Sequence, residues 1–184
     1  MLVHSGIVYP SERDPSHLFA ALRSLRDAGR INADTLLLRF RAPGHEYHVR
    51  ELAVRFGVMD LIEIAPPLPY REALLEMTSA DGLVVLQAAN CDQQIPAKLY
   101  EYLRAGRAIL GLATGDTANV LLAAGVPYVA ALDDAKVIAA VIERFVADLE
   151  SGRVSLPNPD FVRGASRRER TQELALLLDR AIAP

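Results

Sequence analysis

Residues 82–112 read GLVVLQAANCDQQIPAKLYEYLRAGRAILGL, and the order of elements in this stretch decides the fold. The run at 82–86 is apolar throughout and bounded by polar residues, which predicts a short strand buried on both faces. Pro96 then opens a segment in which Leu99 and Leu103 recur at helical spacing and Gly106 follows, so a helix is predicted over 97–105. A second apolar run follows at 108–112. Strand, helix and strand in succession form a βαβ unit, whose two strands run parallel.

The same alternation extends in both directions. Strands are predicted at 2–8, 35–39, 61–64 and 128–131, and helices at 16–28, 46–56, 70–78, 119–124 and 135–149. The fold class is therefore α/β: a Rossmann-like, doubly wound parallel sheet of about six strands. Residues 1–150 form that domain; 151–184 are read as a polar, proline-bearing linker and a terminal helix, 166–182. Leu174, Leu177, Leu178 and Ile182 make one stripe on that helix, which predicts packing onto the domain or a neighbour.

The chain has 184 residues, 51% hydrophobic and 23% charged, a balance that excludes a disordered polypeptide. Its formal charge of −3 gives no bulk attraction to nucleic acid, so an anion site has to be local. Cys91 stands alone, which excludes a disulfide framework and fits a reducing cytoplasm. No stretch approaches the roughly 20 apolar residues of a membrane span, and MLVHSGIVY lacks the basic start and long apolar core of a signal peptide. The chain opens directly on a strand, from which a domain cut from a longer protein is expected.

In open parallel sheets ligands bind beyond the carboxyl ends of the strands. Two loops there carry candidate residues. In GIVYPSERDP, residues 6–15, Gly6 permits close backbone approach and Arg13 arrives just before a helix. The loop at 87–95 is longer than an ordinary connection of about 2–6 residues. It feeds the helix carrying Lys98 and Glu101, three apart near its positive end. A carboxylate such as Glu101 suits a vicinal diol and an ammonium such as Lys98 suits a phosphate. A surface ion pair satisfies the same spacing.

The segment IPAKLYEYLRAGRAILGLA resembles the donor-site helix of family 4 (group 1) glycosyltransferases of the GT-B fold, with their P-x-K-x-x-E-Y-x-x-x-G-x-x-x-L pattern. HSGIVYPSERDPSHLFAAL is similar to the opening of that family's C-terminal domain. The resemblance covers nearly the whole chain but only the C-terminal half of such an enzyme. It implies a nucleotide-sugar substrate, no metal and no cofactor, and a missing N-terminal half that binds the acceptor. By position, Glu101 would bind the ribose, Arg13 and Lys98 the diphosphate and its leaving charge, and the Gly6 loop the phosphates. The base would lie near residues 65–70. Where many members carry a second glutamate this chain has Gln93, which can hydrogen-bond sugar hydroxyls but brings no charge. A frequent arginine after the loop glycine is Ile7 here.

Glycosyl transfer to an acceptor hydroxyl, with retention, is the implied reaction, in a pathway building surface polysaccharide or glycolipid. A cytoplasmic location is expected, with any membrane contact made through the missing half. In this family the last helix crosses to the N-terminal half, and in the isolated chain its stripe predicts self-association. The competing functions are a nucleotide-sugar epimerase on the same scaffold and a non-catalytic nucleotide-binding domain. No G-x-G-x-x-G follows the first strand, which weighs against a dehydrogenase.

Among the remaining residues, His4 either lines the ligand cleft beside the glycine loop, the role taken for it here, or merely occupies a strand position, and His17 is assigned to a helix surface. His45 and His48 are read as surface or capping residues rather than metal ligands. Asp133 and Asp134 stand where a helix cap is needed. Residues 114–117, TGDT, either contact a ligand or simply turn and cap a helix.

Overall fold

A computed structural model of the chain describes residues 1–182. Six strands, β1 (Leu2–Ser5), β2 (Leu38–Arg41), β3 (Ile62–Ala65), β4 (Gly82–Leu86), β5 (Ala108–Leu112) and β6 (Val129–Ala130), form one sheet in the order β3-β2-β1-β4-β5-β6. Every neighbouring pair is parallel. This is the doubly wound arrangement expected from the alternation of elements.

The strands connect through α1 (Ser16–Asp27), α2 (Glu46–Arg55), α3 (Tyr70–Ser79), α4 (Ala97–Ala105) and α5 (Gly115–Ala123), with α6 (Ala135–Glu150), α7 (Pro159–Gly164) and α8 (Arg167–Ile182) following. Alternation along each strand divides the core. Leu2, Phe40, Val84, Leu86 and Leu110 meet α1, α2 and α6 on one face, while Val3, Leu83, Val85 and Ile109 meet α3, α4 and α5 on the other. Because both faces are covered, the central strands read as continuous apolar runs.

Several boundaries differ from the sequence reading, each for a local reason. β1 ends at Ser5 rather than at residue 8, because Gly6 turns the backbone with φ 110°. β2 begins at Leu38 rather than at 35, since Asn32 accepts from the amides of Asp34 and Thr35 and holds that segment as a turn. β3 starts one residue late, after a single 3-10 turn at Met59–Leu61. α5 starts at Gly115, four residues before the expected 119. The segment read wholly as linker contains α7, capped by Asn158, whose side chain accepts from the amides of Asp160 and Phe161. Phe161 and Val162 of α7 pack on the α3–α5 face, whereas α8 buries no residue. Asp134 caps α6 through the amides of Lys136 and Val137.

Candidate functional site

Strand order fixes where the site lies. β1 and β4 are neighbours, yet β1 leads to α1 on one face and β4 to α4 on the other, so the two loops part and leave a crevice at the carboxyl edge. The β1 loop is folded on itself. The amides of Glu12 and Arg13 return to the Tyr9 carbonyl at 3.1 and 2.8 Å. The Arg13 guanidinium lies 5.2 Å from the centre of the Tyr9 ring and donates to the Ile7 carbonyl at 3.3 Å. Its Nε is buried with no partner among the described residues.

Lys98 comes from the first turn of α4 and runs beneath Gly6. A Cβ on Gly6 would stand 3.0 Å from the Lys98 Nζ, so this position favours glycine for its φ, and a side chain there would push the ammonium aside. The Nζ lies 3.4 Å from His4 Nε2, and His4 Nδ1 lies 2.9 Å from the Val84 carbonyl. Burial, reinforced by Arg13 and opposed by Glu101, lowers the Lys98 pKa from its ordinary 10.5 to about 8. Burial first and Lys98 second hold His4 well below its usual 6.5, against the pull of the Val84 and Gly6 carbonyls. Tyr102 of α4 accepts from the Ser5 amide at 2.8 Å and so ties the end of β1 to the same helix.

The loop after β4 is braced from within. Gln87, 2% exposed, donates to the carbonyls of Cys91 at 2.7 Å and Gln94 at 2.5 Å. Thr114 donates to the Asp92 carboxylate, Thr117 to the Gln94 carbonyl at 2.9 Å, and the Asp116 amide to the Asp92 carbonyl at 2.8 Å. The two loops are also joined to each other. The Ala88 amide donates to Glu12 and the Asn90 side chain to Ser11, at 2.7 and 2.9 Å. Gln93 is thereby an exposed residue between two anchored ones, Asp92 and Gln94.

Gly6, Arg13 and Lys98 therefore converge at the switch point. Glu101 is exposed on the same helix and makes no ion pair with Lys98, whose ammonium turns inward instead. His4 is a correction to the sequence reading. It is 0% exposed and reaches the crevice only through Lys98. Thr114 stands at the N-cap position of α5 without a side-chain capping bond, and its hydroxyl and that of Thr117 brace the neighbouring loop instead. His17 is exposed, and His48 lies 3.6 Å from Asp14. Among the described residues no three His, Cys, Asp or Glu side chains gather as a metal site, and no helix is long and apolar enough to cross a membrane.

Two features escaped the sequence reading. Gln87 was detectable as an amide directly after an apolar strand. At the end of β2, Arg41 and Arg39 both donate to Glu76 of α3, and Arg41 also donates to the Pro66 carbonyl at 2.5 Å, anchoring the chain after β3. No spacing signals that cluster, because Glu76 is 35 residues from Arg41 and 37 from Arg39. Cavities open on the surface beside both loops' elements, two of them among the described residues near the site. One of about 380 Å³ lies beside the β1 loop, between Ser16, Ala88, Thr114 and Asp133. The other, about 880 Å³, runs along α4 past Tyr100, Glu101 and Arg104 to Arg167.

No family model matches the chain, and no curated protein matches it in sequence. Solved structures match it in fold. The pneumococcal O-GlcNAc transferase GtfA, in complex with UDP and GlcNAc, aligns with a TM-score of 0.68 at 10% identity, over 100% of this chain and 36% of that one. Sucrose-phosphate synthase from Thermosynechococcus elongatus aligns with a TM-score of 0.67 at 14% identity, over 98% and 46%. Anabaena HepE in complex with UDP gives 0.65 at 12% identity, over 97% and 48%. At such identities the likeness is one of fold. The chain spans less than half the length of each of these proteins.

Proposed function

We infer that the chain is the nucleotide-sugar-binding portion of a GT-B glycosyltransferase of the family 4 (group 1) type, acting with an N-terminal half that binds the acceptor. One observation carries this reading. Two cations, Lys98 and Arg13, flank a glycine turn at the switch point, with no buried carboxylate among the described residues to neutralise them. Such a site is completed by an anion that the backbone can approach closely. Arg13 and Lys98 bind the diphosphate and stabilise it as the leaving group, and Gly6 admits it. Glu101, exposed on α4, takes the ribose hydroxyls, Gln93 the sugar, and residues 65–70 the base. Two of the proteins of similar fold were solved with UDP or UDP-glucose, in three structures, which favours a uridine donor. The reaction is transfer of a glycosyl group to an acceptor hydroxyl. A cytoplasmic setting and a pathway to surface polysaccharide complete the reading.

Calorimetric titration with nucleoside diphosphates and their sugars tests it. One nucleotide is expected to bind, with Arg13→Ala and Glu101→Ala each weakening it at least about tenfold, the loss typical of a charged hydrogen bond. Equal affinity for all the nucleotides, or indifference to both substitutions, contradicts the reading. A second function, nucleotide binding without transfer, is favoured by the uncharged Gln93. Turnover after Gln93→Glu alone, in the presence of the N-terminal half, would separate the two.

A further inference from the structure

Of the twenty basic residues in the chain only two are lysines, Lys98 and Lys136. Lys136 is exposed on α6, while Lys98 lies under the Gly6 turn. A buried ammonium has three donors and no acceptor, and without a partner it leaves for solvent. The charged and titratable groups around it are Arg13 from the β1 loop, which repels it, Glu101 from its own helix, which attracts it from the surface, and His4 from β1. Among the described residues its one hydrogen-bond acceptor is the His4 ring, at 3.4 Å.

The ring's other contact fixes its tautomer. The Val84 carbonyl can only accept, so the proton sits on Nδ1, and the neutral ring presents a lone pair at Nε2. Burial keeps the ring neutral, and Phe40, its centroid 5.7 Å away, packs beside it. We propose that His4 is a positioning residue for the anion site: its Nε2 accepts from the Lys98 ammonium and holds that ammonium beneath the Gly6 turn, where the remaining N–H groups meet ligand oxygen. His4 touches no ligand itself. The identity of the ligand as a nucleoside diphosphate rests on the proposed function above; the hold on Lys98 does not.

The test separates the two. In protein labelled with [13C]lysine, the Cε signals of Lys98 and Lys136 are titrated, with Lys136 as the internal reference. Lys98 is expected to titrate near pH 8, and His4→Phe to move its midpoint up toward 10.5 as the ammonium escapes to water. His4→Gln, which keeps an acceptor, is expected to bring it back toward the wild-type value. A midpoint that stays put or falls further in His4→Phe overturns the proposal, because Lys98 would then be held without His4. The wild-type ring nitrogens give a check that needs no variant: a proton found on Nε2 instead of Nδ1 overturns it equally. Titration with UDP at pH 7 is expected to show about tenfold weaker binding in His4→Phe and recovery in His4→Gln. UDP binding equal in wild type and His4→Phe also overturns the role of His4. A wild-type chain whose Lys98 behaves as expected but which binds no UDP removes the proposed function and leaves this inference standing.

Discussion

At the carboxyl end of β2, Arg41 grips Glu76 with two nitrogens and Arg39 joins Glu76 to Glu63, all within hydrogen-bond distance. At the end of the neighbouring β1, Lys98 and Arg13 gather with a neutral histidine and, among the described residues, no buried acid. Both clusters withdraw charge from water. In the first, two arginines are matched by two glutamates, so the cluster serves the fold by tying β2, β3 and α3 together. In the second, burial is opposed only weakly, by Glu101 at the surface, and Lys98 becomes easier to deprotonate. A site that costs folding energy in this way fits the anion-binding role proposed for it.

Removing the acid from the balanced cluster should have the largest effect on stability. The Glu76 and Arg41 side chains are 8% and 10% exposed, so Glu76→Gln leaves a buried guanidinium without its counter-charge, and about 3 kcal/mol should be lost in urea unfolding. Arg41, then Arg39, hold the Glu76 carboxyl below its ordinary 4.5 against the opposing effect of burial. Its stabilisation is therefore complete above pH 4.5 and disappears as the pH falls through the lower folded value, a dependence the glutamine variant should lack. The Lys98 titration should not change. If it does, the clusters are coupled and the contrast between them fails.

Lys98→Met should act in the opposite direction. The unfolded chain binds the lysine proton up to about pH 10.5 and the folded chain only up to about 8, so wild-type stability should climb between those values. Below pH 8 the methionine variant should be more stable than wild type, by on the order of 2 kcal/mol, and show no such climb. Nucleotide affinity should fall at least about tenfold in the same variant. A Lys98→Met protein less stable at neutral pH would mean that the ammonium serves the fold, as Arg41 does.

Gly6→Ala should cost less, about 1–2 kcal/mol. The φ of 110° disfavours any side chain, and the new Cβ meets an ammonium that can move rather than rigid backbone. The displaced Lys98 should then titrate closer to 10.5, which NMR can follow in the same experiment.

How much of this contrast could be read from the sequence depends on how local its causes are. The parallel sheet was legible because strands buried on both faces leave apolar runs, and punctuating residues such as Pro96 and Gly106 mark helix ends. Gly6, Arg13 and Lys98 were legible as candidates because the doubly wound fold places their loops at one edge. The balanced cluster was not, since Arg41 and Glu76 meet only after α2, β3 and α3 have been laid down between them. The burial of His4 was equally hidden: a strand position beside a glycine loop can face the cleft or the core, and the ring's orientation is settled by the Val84 carbonyl across the sheet.

Glu101 provides the finest test, because it is the acid nearest to closing the difference between the clusters. It is exposed and makes no ion pair with Lys98, so its attraction acts through water and is weakened by salt. Glu101→Gln should lower the Lys98 midpoint slightly below 8, the direction opposite to that of His4→Phe, and the shift should shrink as salt is added. Urea unfolding should barely change, within about 0.5 kcal/mol. If stability fell as far as in Glu76→Gln, Glu101 would be a structural counter-ion and the β1 cluster would be balanced after all. If only the midpoint moves, the carboxylate is left free for a ligand, and the shortage of negative charge at β1 remains for that ligand to fill.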